Sequence, residues 1–185
     1  MKELSLNILD IAQNSIKAGA QLVKIILTET DELFTFEIID DGCGMTRDFL
    51  ANVTDPFTTT RTTRKVGLGL PLLKMEAEMT GGSFLIESKS EKEFSDHGTR
   101  VLATFCKTSI DFIPLGDIVG TLCVLIQGAE NVDFEFSHTM PEGTVTLSTA
   151  ELRTVLGEDV PLSSPEVIEW VRGYLEESYQ SPETA

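Results

Sequence analysis

The first half of the chain alternates between a helical and a strand-like spacing of its apolar residues. Over residues 3–18 apolar side chains recur every three or four positions, which predicts an amphipathic helix that ends at Gly19. Two β-rich runs, 22–28 and 33–39, follow on either side of a turn-like Thr-Asp-Glu segment. They predict a hairpin of two strands.

The same reading continues to about residue 107. It predicts a short helix over 46–52, a helix from Gly67 to about residue 79, and strands over 83–87 and 99–106. Residues 55–66 hold five threonines, three basic residues and a proline without periodicity, and we interpret them as a mobile loop. The order of elements predicts a two-layer α/β sandwich, with helices over one face of a mixed sheet.

Composition changes at about residue 108. Residues 1–108 carry 12 basic and 16 acidic side chains, whereas residues 109–185 carry 2 basic and 14 acidic ones. This change suggests two domains, 1–108 and a small acidic α+β module over 109–185. Within the module, 117–127 is more typical of helix than strand, 132–136 and 144–147 predict a hairpin, and short helices are expected after Ser148 and Ser164.

The charge restricts the possible partners. A formal net charge of −16 repels nucleic-acid phosphates and anionic lipids, so neither is expected as a partner. No apolar run is long enough to cross a bilayer and the start does not resemble a signal peptide, which favours a cytoplasmic location. The acidic half is either a solvated surface or a docking face for a basic partner, and composition alone leaves both open.

Two polar residues of the first helix suggest phosphate chemistry. Asp10 and Asn14 are four positions apart and therefore lie on one side of the helix, a turn from each other. An amide oxygen is a suitable ligand for magnesium, and a carboxylate beside it could orient or deprotonate a water. Lys17, a further turn along, could neutralise phosphate charge. The alternative is an ordinary solvent-exposed polar stripe.

Two glycine-containing turns suggest a nucleotide. Asp40 ends an apolar strand, and its carboxylate could accept a hydrogen bond from the exocyclic amine of adenine. Gly42 and Gly44 would let the backbone approach a planar base, although Asp-Gly turns also occur in plain hairpins. The Gly67-Leu-Gly-Leu run would begin a helix whose unpaired amides favour anions, and Arg61 in the preceding loop could close over a γ-phosphate.

In this order the motifs resemble those of the histidine-kinase-like ATPases, which include type II topoisomerases, heat-shock chaperones and mismatch-repair ATPases. Residues 10–17 resemble their N box, 40–44 the G1 box, 55–61 the F box and lid, 67–70 the G2 box, and Gly98-Thr99 the last phosphate-side element. The resemblance covers residues 3–107, the whole first domain.

This resemblance implies an ATP- and magnesium-binding domain of the Bergerat type, with Asn14 as the metal ligand. Its catalytic candidates are Asp10, Lys17 and Arg61. The nucleotide-contacting positions that it implies are Asn14, Asp40, Gly42, Gly44, Met45, Phe57, Thr59, Thr60, Gly67, Leu68, Gly69, Leu70 and Thr99. One departure concerns the reaction: Asp10 stands where the hydrolysing branches usually carry glutamate, which is one methylene longer.

The leading functional hypothesis is a cytoplasmic signalling kinase or ATPase that acts on a partner protein. His97 and His138 do not lie in a helical phosphoacceptor motif, so any acceptor is expected on another protein. A non-catalytic ATP sensor and an anti-sigma-type serine kinase are the alternatives. The acidic module, for which no family resemblance is found, is interpreted as a docking or regulatory unit.

Overall fold

The computed structural model describes residues 3–54, 69–157 and 160–183 of the 185-residue chain. These residues form six strands and six helices. In chain order they are α1 (Leu4–Lys17), β1 (Leu22–Glu29), β2 (Leu33–Asp40), α2 (Arg47–Asn52), α3 (Gly69–Met79), β3 (Ser83–Lys89), β4 (Gly98–Cys106), α4 (Ile118–Gly128), β5 (Asp133–Met140), β6 (Gly143–Ser148), α5 (Thr149–Leu156) and α6 (Pro165–Gln180).

All six strands belong to one mixed sheet in the order β3-β4-β2-β1-β5-β6. The β1–β5 pair is parallel, and the other four pairs are antiparallel. Helices α1, α3, α4 and α6 pack on the sheet or on one another. The predicted two-layer sandwich with a mixed sheet is therefore confirmed.

The sheet buries one of its faces, as the alternation of apolar residues predicted. In β1 the side chains of Val23, Ile25 and Leu27 are fully buried, while their neighbours on the strand are partly exposed. Their counterparts on β2, including Phe36 and Ile38, point to the same side and join the same core. Period-two alternation is what a half-buried strand requires.

The region after residue 108 extends this same sheet. Strand β5 pairs with β1 along its length, from Leu22 opposite Asp133 to Thr28 opposite Thr139. Helix α4 packs between α1 and α6, so the core is continuous across residue 108. The sequence-based division into 1–108 and 109–185 stays a prediction, and within the described residues it does not coincide with a break in the sheet.

Helix α1 ends as its sequence predicted. Gly19 has a φ of +78°, a left-handed conformation that glycine adopts without a side-chain clash. Its amide bonds to the carbonyl of Ile16, and the next amide, of Ala20, bonds to the carbonyl of Ser15. This pair of bonds is a Schellman motif, and it turns the chain sharply from α1 into β1.

The hairpin in the acidic half is longer than predicted. Strand β5 runs to Met140 instead of ending at residue 136, because Ser137 and Thr139 interrupt the apolar alternation only on the exposed side. His138, between them, is buried against the core. Helix α5 starts as expected, since the Ser148 hydroxyl accepts a hydrogen bond from the Glu151 amide at 3.3 Å.

His138 belongs to a polar cluster at the end of the sheet opposite Asp40. Its Nδ1 lies 2.9 Å from the hydroxyl of Tyr179 on α6, and its Nε2 lies 3.6 Å from the carboxylate of Glu29, which is longer than a hydrogen bond. Glu29 in turn pairs with Lys107. Burial lowers the pKa of His138, with a smaller opposing effect of the Glu29 carboxylate.

None of the helices in the described residues is long and apolar enough to span a membrane.

This lowered pKa of His138 predicts a stability that depends on pH. Because the folded-state pKa lies below the ordinary value of 6.5, the unfolded chain takes up the proton first as the pH falls. The stability that the neutral ring contributes is present above pH 6.5 and is lost as the pH falls through this window. In urea unfolding at pH 7.5 and 5.5, His138→Gln should lose less stability on acidification than the unsubstituted chain does.

Ser137→Ala is the matched control, because it changes the residue of β5 that directly precedes His138 and lies on the other face of the strand. It should retain the original pH dependence. If all three proteins lose the same free energy of unfolding between pH 7.5 and 5.5, the role assigned to His138 is contradicted.

Candidate functional site

The site is built around the carboxylate of Asp40, at the end of β2. Its Oδ2 accepts a hydrogen bond from the Ser15 hydroxyl of α1 at 2.6 Å. Its Oδ1 accepts from the amide of Gly42 at 3.0 Å and from the amide of Thr99, on β4, at 3.2 Å. One buried side chain therefore joins a helix, the loop that follows β2 and a neighbouring strand.

These donors leave Asp40 with capacity for one more hydrogen bond. An ionised carboxylate offers about four acceptor positions, and the three donors occupy three of them. The remaining position is on Oδ2. Burial raises the pKa of Asp40, while the bonds from Ser15, Gly42 and Thr99 act in the opposite direction. A further donor from a ligand would stabilise the charged form in the same way.

The loop after β2 is fixed by the end of α1. The amide of Cys43 donates to the carbonyl of Ala18 at 2.9 Å, and the carbonyl of Cys43 accepts from Glu91. Gly44 has a φ of +63°, and a Cβ at this position would lie 1.8 Å from the carbonyl oxygen of Lys89. Only glycine fits there, because a side chain would be strained in conformation and would collide with the backbone.

The opposite side of this loop is held by the β3–β4 hairpin. The Met45 amide donates to the Ser88 hydroxyl at 2.8 Å, and that hydroxyl lies 2.9 Å from the hydroxyl of Thr99. His97 Nδ1 lies 2.7 Å from the carbonyl oxygen of Gly42. The loop from Gly42 to Met45 is thus anchored on both sides, which gives a rigid wall beside Asp40.

A second part of the site lies where α1 meets the start of α3. Gly69 is the first residue of α3 and is buried, and a Cβ on it would lie 1.8 Å from Oδ2 of Asp10. The backbone of α3 therefore begins directly against the Asp10 carboxylate. Leu70, the next residue, is buried in the core and fixes the start of the helix. The amides of a helix N-terminus favour anions, so phosphate is a suitable ligand for this end.

Asn14 and Lys17 continue the face of α1 that carries Asp10. Asn14 is half-buried and Lys17 is exposed in the last turn of the helix. Among the residues that the structure describes, neither side chain takes part in a hydrogen bond or ion pair. Both are consequently available to a ligand that lies along α1.

The donor set fits magnesium held jointly with a phosphate. Within the described ranges, no group of three or more histidine, cysteine, aspartate or glutamate side chains could hold a metal ion without help. Magnesium usually takes one or two protein ligands and keeps waters and substrate phosphates as the rest. The half-buried amide of Asn14, a turn away from Asp10, is suited to that single protein ligand.

Several predicted site residues lie outside the described residues. They are Phe57, Thr59, Thr60, Arg61, Gly67 and Leu68, together with the loop over 55–66 that was interpreted as mobile. Their predicted roles stay predictions. The structure brings Asp10 and Gly69 together at the α1–α3 contact, and it gathers Asp40, Gly42, Gly44, Met45 and Thr99 around the buried carboxylate. Leu70 follows Gly69 in the core, and Asn14 and Lys17 lie one and two turns farther along α1.

Sequence reasoning missed four residues that shape the site. Ser15 and His97 hold Asp40 and the loop, but nothing in their immediate sequence marks these contacts. Asn7, a turn before Asp10 on the same face of α1, donates to buried Glu76 of α3 at 2.6 Å. Its spacing from Asp10 and Asn14 was a usable sign, whereas Glu76 resembles an ordinary surface residue of a helix.

Comparison with known proteins is consistent with this geometry. The family model described as "Histidine kinase-, DNA gyrase B-, and HSP90-like ATPase" matches residues 2–109. The chain is 34% identical to the sensor protein KdpD of Clostridium acetobutylicum over 87 residues. The matched segment covers 44% of this chain and 10% of that protein. The chain thus matches only a tenth of the length of this relative.

Two solved structures match this chain at low identity. The N-terminal domain of a DNA repair protein matches 85% of this chain and 58% of its own, with a TM-score of 0.57 at 17% identity. The catalytic domain of the histidine kinase ThkA matches 56% of this chain and 66% of its own, with a TM-score of 0.42 at 20% identity. The first likeness is one of fold, and at 85% coverage it includes part of the region after residue 109.

The bond between Ser15 and Asp40 predicts a specific cost of substitution. Ser15→Ala should raise the pKa of Asp40 further, since the hydroxyl is one of the groups that lower it. At neutral pH it should also reduce the free energy of unfolding by about 1–3 kcal/mol, the usual cost of an unsatisfied buried polar group. An NMR titration of the aspartate carboxyls and urea unfolding provide the two measurements.

Ser5→Ala is the control, because Ser5 is an equally buried serine of α1 whose hydroxyl is 3.4 Å from Glu3. It should leave the Asp40 titration unchanged. If Ser15→Ala and Ser5→Ala change the pKa of Asp40 equally, the hydrogen bond from Ser15 does not determine the pKa of this carboxyl.

Proposed function

We propose that this chain, which belongs to the histidine kinase-, DNA gyrase B- and HSP90-like ATPase family, binds magnesium ATP and uses it in cytoplasmic signalling as a kinase or ATPase acting on a partner protein. The observation that carries the proposal is the buried Asp40 carboxylate, which keeps one acceptor position after three hydrogen bonds within the protein. An ATP-binding role follows from the family. The residue roles below are our own inference.

Asp40 would recognise the base. Its remaining Oδ2 position would accept a hydrogen bond from the exocyclic amine of adenine, and guanine has a carbonyl at the corresponding place. A mismatch would leave a buried acceptor facing another acceptor, which is costly in a site of low polarity. The anchored loop from Gly42 to Met45 would provide the wall against which the base lies.

The α1–α3 contact would receive the phosphates. The start of α3 at Gly69 offers helix amides to phosphate oxygens, and Asn14 would hold magnesium through its amide oxygen. Bound magnesium would neutralise and orient the phosphate oxygens. Lys17, exposed at the end of α1, would supply a positive charge near the terminal phosphate.

Asp10 would act on the attacking group. Its carboxylate lies against the first residue of α3, at the end of the site to which the phosphates are assigned. In hydrolysis it would take a proton from water as the water oxygen bonds to the γ-phosphorus and the bond to the bridging oxygen breaks, with release of ADP. In transfer the attacking atom would come from a partner protein instead of water.

A non-catalytic sensor is the second candidate. Its support is the short aspartate at position 10, which is one methylene shorter than the glutamate expected for a hydrolytic base. In that case ATP would bind and change the surface offered to a partner, and no phosphate would be released or transferred. An anti-sigma-type serine kinase remains a third candidate, with the same binding chemistry and a partner serine as acceptor.

Asp40→Asn should weaken ATP binding about tenfold to a hundredfold in calorimetry. The substitution preserves size but replaces the Oδ2 acceptor with a donor, and a hydrogen bond to a charged group contributes about 1.5–3 kcal/mol. The unsubstituted chain should bind ATP analogues and show no saturation with GTP.

Asp31→Asn is the matched control, since it makes the same change in the exposed turn before β2, at the other end of the strand from Asp40. It should bind ATP normally. An Asp40→Asn variant with unchanged affinity would remove the basis of the proposed site.

Turnover distinguishes a kinase, an ATPase and a sensor. With γ-labelled ATP, magnesium and lysate from the source organism, a kinase labels a protein, an ATPase releases labelled phosphate, and a sensor does neither. If the chain is catalytic, Asn14→Ala should lower turnover at least tenfold through weaker magnesium ATP binding. Asp10→Asn should lower turnover as strongly while the ATP affinity measured by calorimetry stays near normal.

Gln13→Ala serves as the control, because Gln13 neighbours Asn14 on α1 but lies about 100° around the helix. It should retain turnover. Tight ATP binding without label on phosphate or on any protein would contradict the catalytic proposal and favour the sensor.

A further inference from the structure

An apolar groove lies between α5 and α6. These helices contact β5 and β6 at one edge of the sheet, whereas Asp40 lies on β2, two strands away from β5. Its volume is about 610 Å³. The apolar side chains that line it come from both helices and from the segment between them: Leu152, Val155, Leu156, Val160, Val167 and Trp170. The floor is closed, because Val167 and the nearby Leu162 are buried in the core.

The groove is exposed to an extent that is unusual for such side chains. Val155 is 83% and Trp170 is 54% exposed. The apolar surface continues along α6 to Tyr174, whose ring stacks on that of Trp170 at a centroid distance of 5.4 Å. An exposed apolar strip with a rigid aromatic pair is typical of a protein-binding surface.

Acidic side chains surround this strip. Glu166 lines the groove itself, and Glu169 and Glu151 are exposed beside Trp170 and Val155 on their respective helices. The basic residue of α5, Arg153, bonds to Asp133 at 2.9 Å, so its charge is already paired. The region after residue 108 has 2 basic and 14 acidic side chains. The local field therefore attracts cations.

We propose that the α5–α6 groove binds a basic amphipathic helix of a partner protein. The partner's apolar side chains, spaced i, i+3, i+4 and i+7, would enter the groove, and its lysines or arginines would face Glu151, Glu166 and Glu169. A groove between two helices suits a third helix better than an extended strand, because helices pack by fitting side-chain ridges into grooves.

Charge decides between this occupant and the others that an apolar surface could take. A second copy of the chain would bring another −16 charge to the same acidic surface. An anionic membrane and a nucleic acid would be repelled for the same reason. A basic helix gains from both the apolar contact and the field. The groove and its ligand do not depend on the nucleotide site, so failure of one proposal leaves the other standing.

The only tryptophan of the chain, Trp170, gives a direct measurement. The probe is an 18-residue leucine–lysine peptide with leucines at i, i+3, i+4 and i+7. Its controls are the same pattern with glutamate in place of lysine and a scrambled peptide of the same leucine–lysine composition. The unsubstituted chain should show a saturable change in Trp170 fluorescence with the first peptide and none with either control.

Val155→Asp separates docking in the groove from general attraction between charges. The substitution adds a negative charge, so attraction alone predicts equal or tighter binding of the lysine peptide. Docking predicts at least tenfold weaker binding, because the aspartate would be desolvated against leucine. Since Val155 is 83% exposed, the variant should fold, and thermal unfolding checks this. Ile110→Asp, at a 99% exposed position outside the groove, should bind as the unsubstituted chain does.

The double variant Glu166→Gln/Glu169→Gln tests the electrostatic attraction between the groove and the lysines of the peptide. This pair should weaken binding of the lysine peptide severalfold at low salt and reduce its salt dependence. Unchanged affinity of Val155→Asp, or equal binding of the lysine, glutamate and scrambled peptides, would overturn the proposal. So would dimerisation in sedimentation that Val155→Asp abolishes, because the groove would then hold a second copy.

Discussion

The hydrogen bonds that hold the Asp40 carboxylate determine the geometry of the whole nucleotide end. A buried charge is tolerated only with partners, and Ser15, Gly42 and Thr99 provide them from a helix, a loop and a neighbouring strand. One side chain thereby connects α1 to β2 and β4, in addition to the core packing of the helix. Because burial still raises the pKa of this carboxyl, the charged form is incompletely compensated in the protein alone. A ligand that donates one hydrogen bond would complete the set, and its binding would then stabilise the charged form of the carboxyl.

Strand β1 transmits that geometry to the second half of the chain. It pairs with β2 on one side and with β5 on the other, and Val23 stands opposite both Asp40 and Phe134. Just before it, Gln21 donates its amide to Asp41 and accepts at its carbonyl from the amide of Asp133. The loop after β2 and the start of β5 are consequently both bonded to the same residue. The acidic region is an extension of the ATPase sheet within the described residues, and its helices α5 and α6 pack against β5, β6 and α4.

Local patterns predicted much of this structure from the sequence, and the contacts between distant segments were the part they could not supply. The helical spacing of α1, its stop at Gly19 and the turn after Asp40 depend on neighbouring residues, so they were readable. The parallel pairing of β1 with β5 joins strands more than a hundred residues apart, and alternation in each strand does not specify its neighbour. Ser15 and His97 were missed for the same reason, since their partners become visible only when the register of the sheet is known. The run from Ser137 to Thr139 was read as the end of a strand because His138 is polar, although it is buried beside Tyr179.

The uneven distribution of charge bears on the two proposed binding surfaces, whose ligands would carry opposite charges. ATP is an anion, and the half that would bind it holds 12 of the 14 basic residues, including Lys17 at the end of α1. The half with the α5–α6 groove has almost no basic residues, and one of its two arginines, Arg153, is paired with Asp133. Electrostatic fields at physiological salt decay over about 8 Å, so surfaces separated by several strands at about 4.8 Å each act almost independently. The anion would therefore meet a region whose 12 basic side chains nearly balance its 16 acidic ones, whereas the basic helix would meet a region with 2 basic and 14 acidic side chains.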